Sequence, residues 1–203
     1  FTFTALTLSK TSPDVSANGT YTGLVAALFT RMSSPPHRSS AWSTAAVRSS
    51  SRSAVEALLK ANPDLLQATD PSKSTLLHHA AGFGTLETLQ WLVDSGAAMN
   101  AKNKLGSMPL HWALPDEAKV RLLLARGAAV NAKLADGRTP LYLAALLGNG
   151  HSILRLLLEH GADPGLRTGN KRTPLMAAAG RGDVEAVRLL LEAKTPVNAV
   201  DSA

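Results

Sequence analysis

The chain has no cysteine, which excludes disulfides and thiolate metal sites. That absence suits the cytoplasm and also a secreted or periplasmic setting; the cytoplasm is the expected compartment. Aromatic residues are scarce, with four Phe, three Trp and two Tyr among 203 residues. The second half is rich in Leu and Ala instead, a composition suited to small, closely packed helices. No membrane span is expected: near the N-terminus the longest apolar run is Leu24–Phe29, inside Tyr21–Phe29. It is too short to cross a bilayer and poor as a signal sequence. Catalytic patterns are missing too: there is no Gly-x-Ser-x-Gly, no Walker sequence and no His-Glu-x-x-His. Gly82-Phe83-Gly84 lacks the third glycine of a dinucleotide loop. No cofactor, catalytic residue, small-molecule substrate or metal site is therefore expected.

Acidic residues run short only at one end. The net charge is +6, and residues 1–53 carry Lys10, Arg31, Arg38, Arg48 and Arg52 against Asp14 alone. Residues 54–203 carry 16 Lys/Arg against 14 Asp/Glu. A nearly neutral body without interleaved aromatics is a poor nucleic-acid surface. Residues 1–42 are rich in Ser and Thr, interrupted by Pro13, Pro35 and Pro36, and show no helical or strand period. They are expected to be a disordered leader, because they cannot bury enough apolar surface to offset ordering. Asn18-Gly19-Thr20 matches the glycosylation sequon, a pattern that often occurs by chance.

Beyond the leader the sequence repeats. Thr75-Leu76-Leu77-His78-His79-Ala80-Ala81 is followed by Met108-Pro109-Leu110-His111-Trp112-Ala113-Leu114. Thr139-Pro140-Leu141-Tyr142-Leu143-Ala144-Ala145 and Thr173-Pro174-Leu175-Met176-Ala177-Ala178-Ala179 come next, at spacings of 33, 31 and 34 residues. Each copy leads to an apolar helix: Leu89–Val93, Val120–Leu124, Leu154–Leu158 and Val187–Leu191. Thr139 and Thr173 suit helix caps, and Pro140 and Pro174 suit the first turn, where no N–H is needed. Gly96, Gly127 and Gly161 suit a left-handed helix exit, and Asn100, Asn131 and Asn198 recur four residues past that position. Asp136-Gly137 marks a turn.

The pattern resembles the ankyrin repeat, with its period of about 33 residues and Thr-Pro-Leu-His-x-Ala core. The resemblance implies an all-α solenoid of helix-turn-helix units joined by hairpin loops over residues 43–203. A degenerate repeat is expected at 43–69, built on Thr44-Ala45-Ala46 and Ala54–Leu59, then repeats at 70–102, 103–133, 134–167 and 168–203. Departures are local. Leu76 replaces Pro, Met108 replaces the capping Thr, and Pro115-Asp116 start a second helix early. The Leu147–Gly150 loop is longer than the pattern by one residue, and Lys194 holds the last Gly position. The chain starts at Phe1, and no polar capping helix follows Asn198–Ala203. More repeats or another domain are expected to follow.

The resemblance implies that His78 and His111 are structural, bonding neighbouring loops. His78 and His79 are adjacent, about 100° apart on a helix, so they cannot easily grip one metal. Asp116-Glu117 suit a helix start. Trp91 and Trp112 are expected to pack between repeats. The resemblance also implies a protein-interaction scaffold, contacting its partner through loop tips and first helices. The candidate contacts are Lys102, Lys104, Lys133, Arg138, Arg167, Lys171 and Arg172 at the tips, with Phe83, Leu146 and Arg181 near the inner helix ends. A row of cations there favours an acidic partner. The alternative is an accessory arm of a longer enzyme or transport protein whose active domain lies outside this chain.

Overall fold

The structure is a computed structural model that describes residues 52–148 and 150–202. The leader, the sequon and Thr44-Ala45-Ala46 lie outside the described residues. Among those described, the chain forms nine α-helices, one short 3-10 helix at Pro63–Leu66 and no strand. The first, α1 (Arg52–Ala61), precedes four pairs: α2 (Leu76–Phe83) with α3 (Leu86–Asp94), α4 (Pro109–Ala113) with α5 (Glu117–Ala125), α6 (Pro140–Ala145) with α7 (His151–Glu159), and α8 (Pro174–Gly180) with α9 (Val184–Glu192).

The pairs stack in two layers. The inner helices α2, α4, α6 and α8 contact one another in succession, and so do the outer helices α1, α3, α5, α7 and α9. Small residues set the inner spacing, since Ala80, Ala113, Ala144 and Ala178 are essentially inaccessible. The Leu runs fill the gap between layers: Leu77, Leu89, Leu92, Leu123, Leu154, Leu157 and Leu190 show no exposed surface. Full burial of one such side chain contributes about 1.5–3 kcal/mol. In and after the last pair, Val184, Val197 and Val200 are exposed, at 72%, 63% and 73%.

The caps follow the residue types. Thr139 Oγ1 accepts from Tyr142 N and Thr173 Oγ1 from Met176 N, both at 3.2 Å. Asp116 Oδ1 accepts from Lys119 N at 3.2 Å, so the short connection after α4 ends on a carboxylate cap, as its sequence suggests. Where Met108 has no oxygen to offer, His111 Nδ1 accepts the Met108 N–H at 3.1 Å. Outer helices end in left-handed residues: Gly96, Gly127 and Gly161 have φ of 85°, 86° and 82°, and Lys194 takes the same place at 59°. The next amide then closes the helix end, as from Ala128 N to Leu123 O at 2.9 Å.

Candidate functional site

The loops that enter the inner helices share one geometry. Each is a five-residue turn: Asp70–Ser74, Asn103–Ser107, Leu134–Arg138 and Thr168–Arg172. In each, the fourth residue donates to the first carbonyl, as from Gly137 N to Leu134 O at 2.9 Å. That residue has positive φ throughout: Lys73, Gly106, Gly137 and Lys171. A polar side chain satisfies the remaining amides. Asp70 Oδ1 accepts from Ser72 N and Ser74 N at 2.8 Å, and Asn103 Oδ1 from Leu105 N and Ser107 N at 2.9 and 3.0 Å. These loops are turns rather than strand hairpins; the described residues hold one isolated bridge, Thr69 to Thr75.

Neighbouring tips are joined by backbone hydrogen bonds. Lys104 N donates to Ser72 O at 2.9 Å, Ala135 N to Leu105 O at 2.9 Å, Gly169 N to Asp136 O at 2.7 Å, and Ser202 N to Asn170 O at 3.2 Å. The tips therefore form one continuous edge. Asparagines add a second tie: Asn100 Oδ1 accepts from Ala129 N at 2.9 Å, and Asn131 Oδ1 from Asp163 N at 2.8 Å.

Lys102, Lys104, Lys133, Arg167, Lys171 and Arg172 are exposed on this edge, and Arg138 is half-buried. Two of the seven are engaged by acids. Arg138 Nε lies 2.6 Å from Asp136 Oδ2, and Arg172 Nε 3.7 Å from Asp201 Oδ2. Among the described residues no ion pair engages the other five. The three inner-helix candidates differ from one another. Phe83 is the last residue of α2 and 52% exposed. Leu146 caps α6 and is half-buried against the core. Arg181 is exposed at the end of α8, its Nη2 within 3.1 Å of where a side chain at Gly148 would begin.

The histidines act within this framework. His78 is fully buried: its Nδ1 accepts from Thr75 N at 3.1 Å, and its Nε2 donates to Ser107 O at 2.9 Å, in the next loop. Burial holds it below the usual histidine range, and neutral His78 bridges two tips. Burial pushes His111 down to about 4, with Nε2 facing the Ala132 carbonyl without a hydrogen bond of good geometry. His79 Nε2 meets Asp70 Oδ2 at 3.1 Å. Trp91 and Trp112 are both half-buried against the core, so each keeps an edge toward solvent.

Two features escaped the sequence reading. Trp112 belongs to a ring cluster with His78, His79 and Phe83, and its Nε1 donates to Ser107 Oγ at 3.0 Å. Lys119 is only 6% exposed, its Nζ donating to Ala81 O at 3.1 Å and lying 3.8 Å from Asp116 Oδ2. Among the described residues no cluster of three His, Asp or Glu could hold a metal, and no helix is long and apolar enough to cross a membrane.

Known proteins match this architecture. The family described as Ankyrin repeats (3 copies) matches residues 43–133 and 116–201. The Neurogenic locus Notch protein of Drosophila melanogaster is 36% identical over 93 residues, 44% of this chain and 3% of that protein. The human Neurogenic locus notch homolog protein 2 is 33% identical over 101 residues, 48% of this chain and 4% of that protein. The E3 ubiquitin-protein ligase Ufd4 of Drosophila melanogaster is 30% identical over 106 residues, 52% of this chain and 4% of that protein. The chain thus spans only a few per cent of the length of these relatives. Stacked helix pairs, left-handed exits and a family match over both halves of the repeat region lead to one conclusion: the chain belongs to the ankyrin-repeat family, whose repeats are generally protein–protein interaction modules.

Proposed function

We propose that this chain is a scaffold that holds a protein partner, acidic on its contacting face, across a concave surface made of loop tips and inner helices. The observation that carries the reading is the tip edge. Lys102, Lys104, Lys133, Arg167 and Lys171 stand on loops locked together through their backbones, and no ion pair among the described residues engages them. Such a row raises the encounter rate of an acidic partner, and it does so over about 10 Å at 0.1 M salt. Because the backbone is already ordered, binding does not have to order it. Arg138 and Arg172 contribute less, because Asp136 and Asp201 already compensate them.

The test replaces Lys102, Lys104, Lys133 and Arg167 together by Ser and measures association with a captured partner at two salt concentrations. The variant should fold normally, since surface charge changes usually cost less than about 0.5 kcal/mol. Its association rate should fall, with the dissociation rate nearly constant. An unchanged rate and salt slope would sink the reading.

A second reading draws support from the relatives, all far longer than this chain. The repeats would then be the accessory arm of a larger enzyme or transport protein. Sequencing the transcript on both sides of these residues decides it, because a reading frame without another domain contradicts the arm.

A further inference from the structure

The position after the core His is left open in the Thr-Pro-Leu-His-x-Ala pattern, and here it is chemically uneven. It holds His79, Trp112, Leu143 and Ala177 in successive pairs. The two aromatic members sit together. Trp112 meets His79 edge-on at 5.3 Å and Phe83 edge-on at 5.8 Å, with interplanar angles of 81° and 79°. His78 also meets Trp112 at a steep angle, 76°, with ring centroids 5.6 Å apart. Gly82 makes the room: a side chain there would begin 3.0 Å from Trp112 Cε3. Ser107 Oγ fixes the indole N–H at 3.0 Å, and Ser107 belongs to the same tip as Lys104 and Leu105. Phe83 and Leu105 remain 52% and 69% exposed.

The rings are thus held in place before any partner arrives, which is the character of interface residues that dominate binding. Resting on the scaffold reading above, we propose that Phe83, held in place by Trp112 and the buried His79, anchors one large apolar side chain, best an aromatic one, on an extended acidic segment of the partner. Carboxylates of the same segment meet Lys102, Lys104 and Lys133. Aromatic rings prefer edge-to-face contact, which the exposed Phe83 ring offers to an incoming ring. The extended form follows from spacing. Packed helices lie about 8–10 Å apart, and an extended chain advances about 3.3 Å per residue, so about three residues span one tip. The anchor is confined to the α2–α4 end, because Leu143 and Ala177 offer no ring farther along. A base-stacking platform is disfavoured, since Trp112 is half-buried among the rings of His78, His79 and Phe83.

The probe is a fluorescein-labelled Glu/Ser peptide of about twelve residues, enough for about four tips at this spacing, with one central Phe. Controls replace that Phe by Ser or every Glu by Gln, and a single-stranded oligothymidylate of similar length forms a separate arm. The full chain should bind the acidic Phe peptide and shift the Trp112 indole resonance. Loss of the peptide's Phe, or Phe83→Ala in the protein, should weaken binding about fivefold or more. Gly82→Ala should do the same by displacing Trp112, with helix content checked by circular dichroism. Equal affinity for both acidic peptides, unchanged in Phe83→Ala, would overturn the anchor; the scaffold reading would survive if the Lys-to-Ser variant still bound less. Failure of every acidic peptide to bind sinks both, and tighter binding of the oligonucleotide overturns the protein partner.

Discussion

The substitution Gly137→Ala should cost more than its counterpart at Gly127, by an amount that measures the tip edge. Both glycines are left-handed, with φ of 81° and 86°. An alanine in that conformation loses about 1 kcal/mol relative to glycine. At Gly127 nothing lies within 4 Å of the added carbon, so the backbone term stands alone. At Gly137 the added carbon would come 2.8 Å from Gly169 N and 3.1 Å from the Thr168 backbone. Something must shift, and the hydrogen bond from Gly169 N to Asp136 O, 2.7 Å long, is what stands in the way. Its loss adds about 1 kcal/mol, for a total of about 2 kcal/mol. Urea unfolding followed by circular dichroism checks this. With a slope of about 2 kcal/mol per molar, Gly127→Ala should lower the midpoint by about 0.5 M and Gly137→Ala by about 1 M. Amide exchange at Gly169 should quicken only in the second variant. If the two midpoints fall equally and Gly169 stays protected, the contact between tips is not part of what holds the stack.

Other outcomes follow from single features. Lys194→Gly should raise stability by about 0.5–1 kcal/mol in thermal unfolding, since Lys194 holds a left-handed exit at φ 59° that glycine takes more easily. His111 is kept neutral in the fold, its pKa pushed down from 6.5 to about 4, so its contribution is complete above pH 6.5 and is lost as pH falls toward 4. The full span corresponds to about 3 kcal/mol, and His111→Gln should flatten that part of a stability-against-pH series. Hydrogen exchange should find residues 173–202 opening before 108–148, because Val184, Val197 and Val200 stand exposed there and bury little apolar surface.

What could be read from sequence was whatever each repeat does within itself. Thr139, Thr173 and Asp116 cap the helices their sequence placed after them, and Gly96, Gly127 and Gly161 take the left-handed exits. Lys194 was visible as an oddity for the same reason: the exit must be left-handed whatever residue stands there. What one repeat does to the next was harder to see. Lys119 looks like a solvated charge until the Ala81 carbonyl, a repeat away, is placed beside it. Arg172 belongs with the free cations until Asp201, at the next loop along, folds back on it. Trp112 reads as core, and its ring neighbours emerge only when α2 and α4 are in register.

The tip edge also bears on where such an array can change length. Exposed loop tips usually accept insertions, yet all four tips here keep the same five-residue frame. An extra residue would slide every amide past its neighbouring carbonyl along the row. On the other side the helix-to-helix connections run 84–85, 114–116, 146–150 and 181–183, unequal from one pair to the next. Growth and trimming have a permitted side and a forbidden one: a tag or graft placed near Gly148 should leave the stack in register, and the same graft at Asp136 should unzip it.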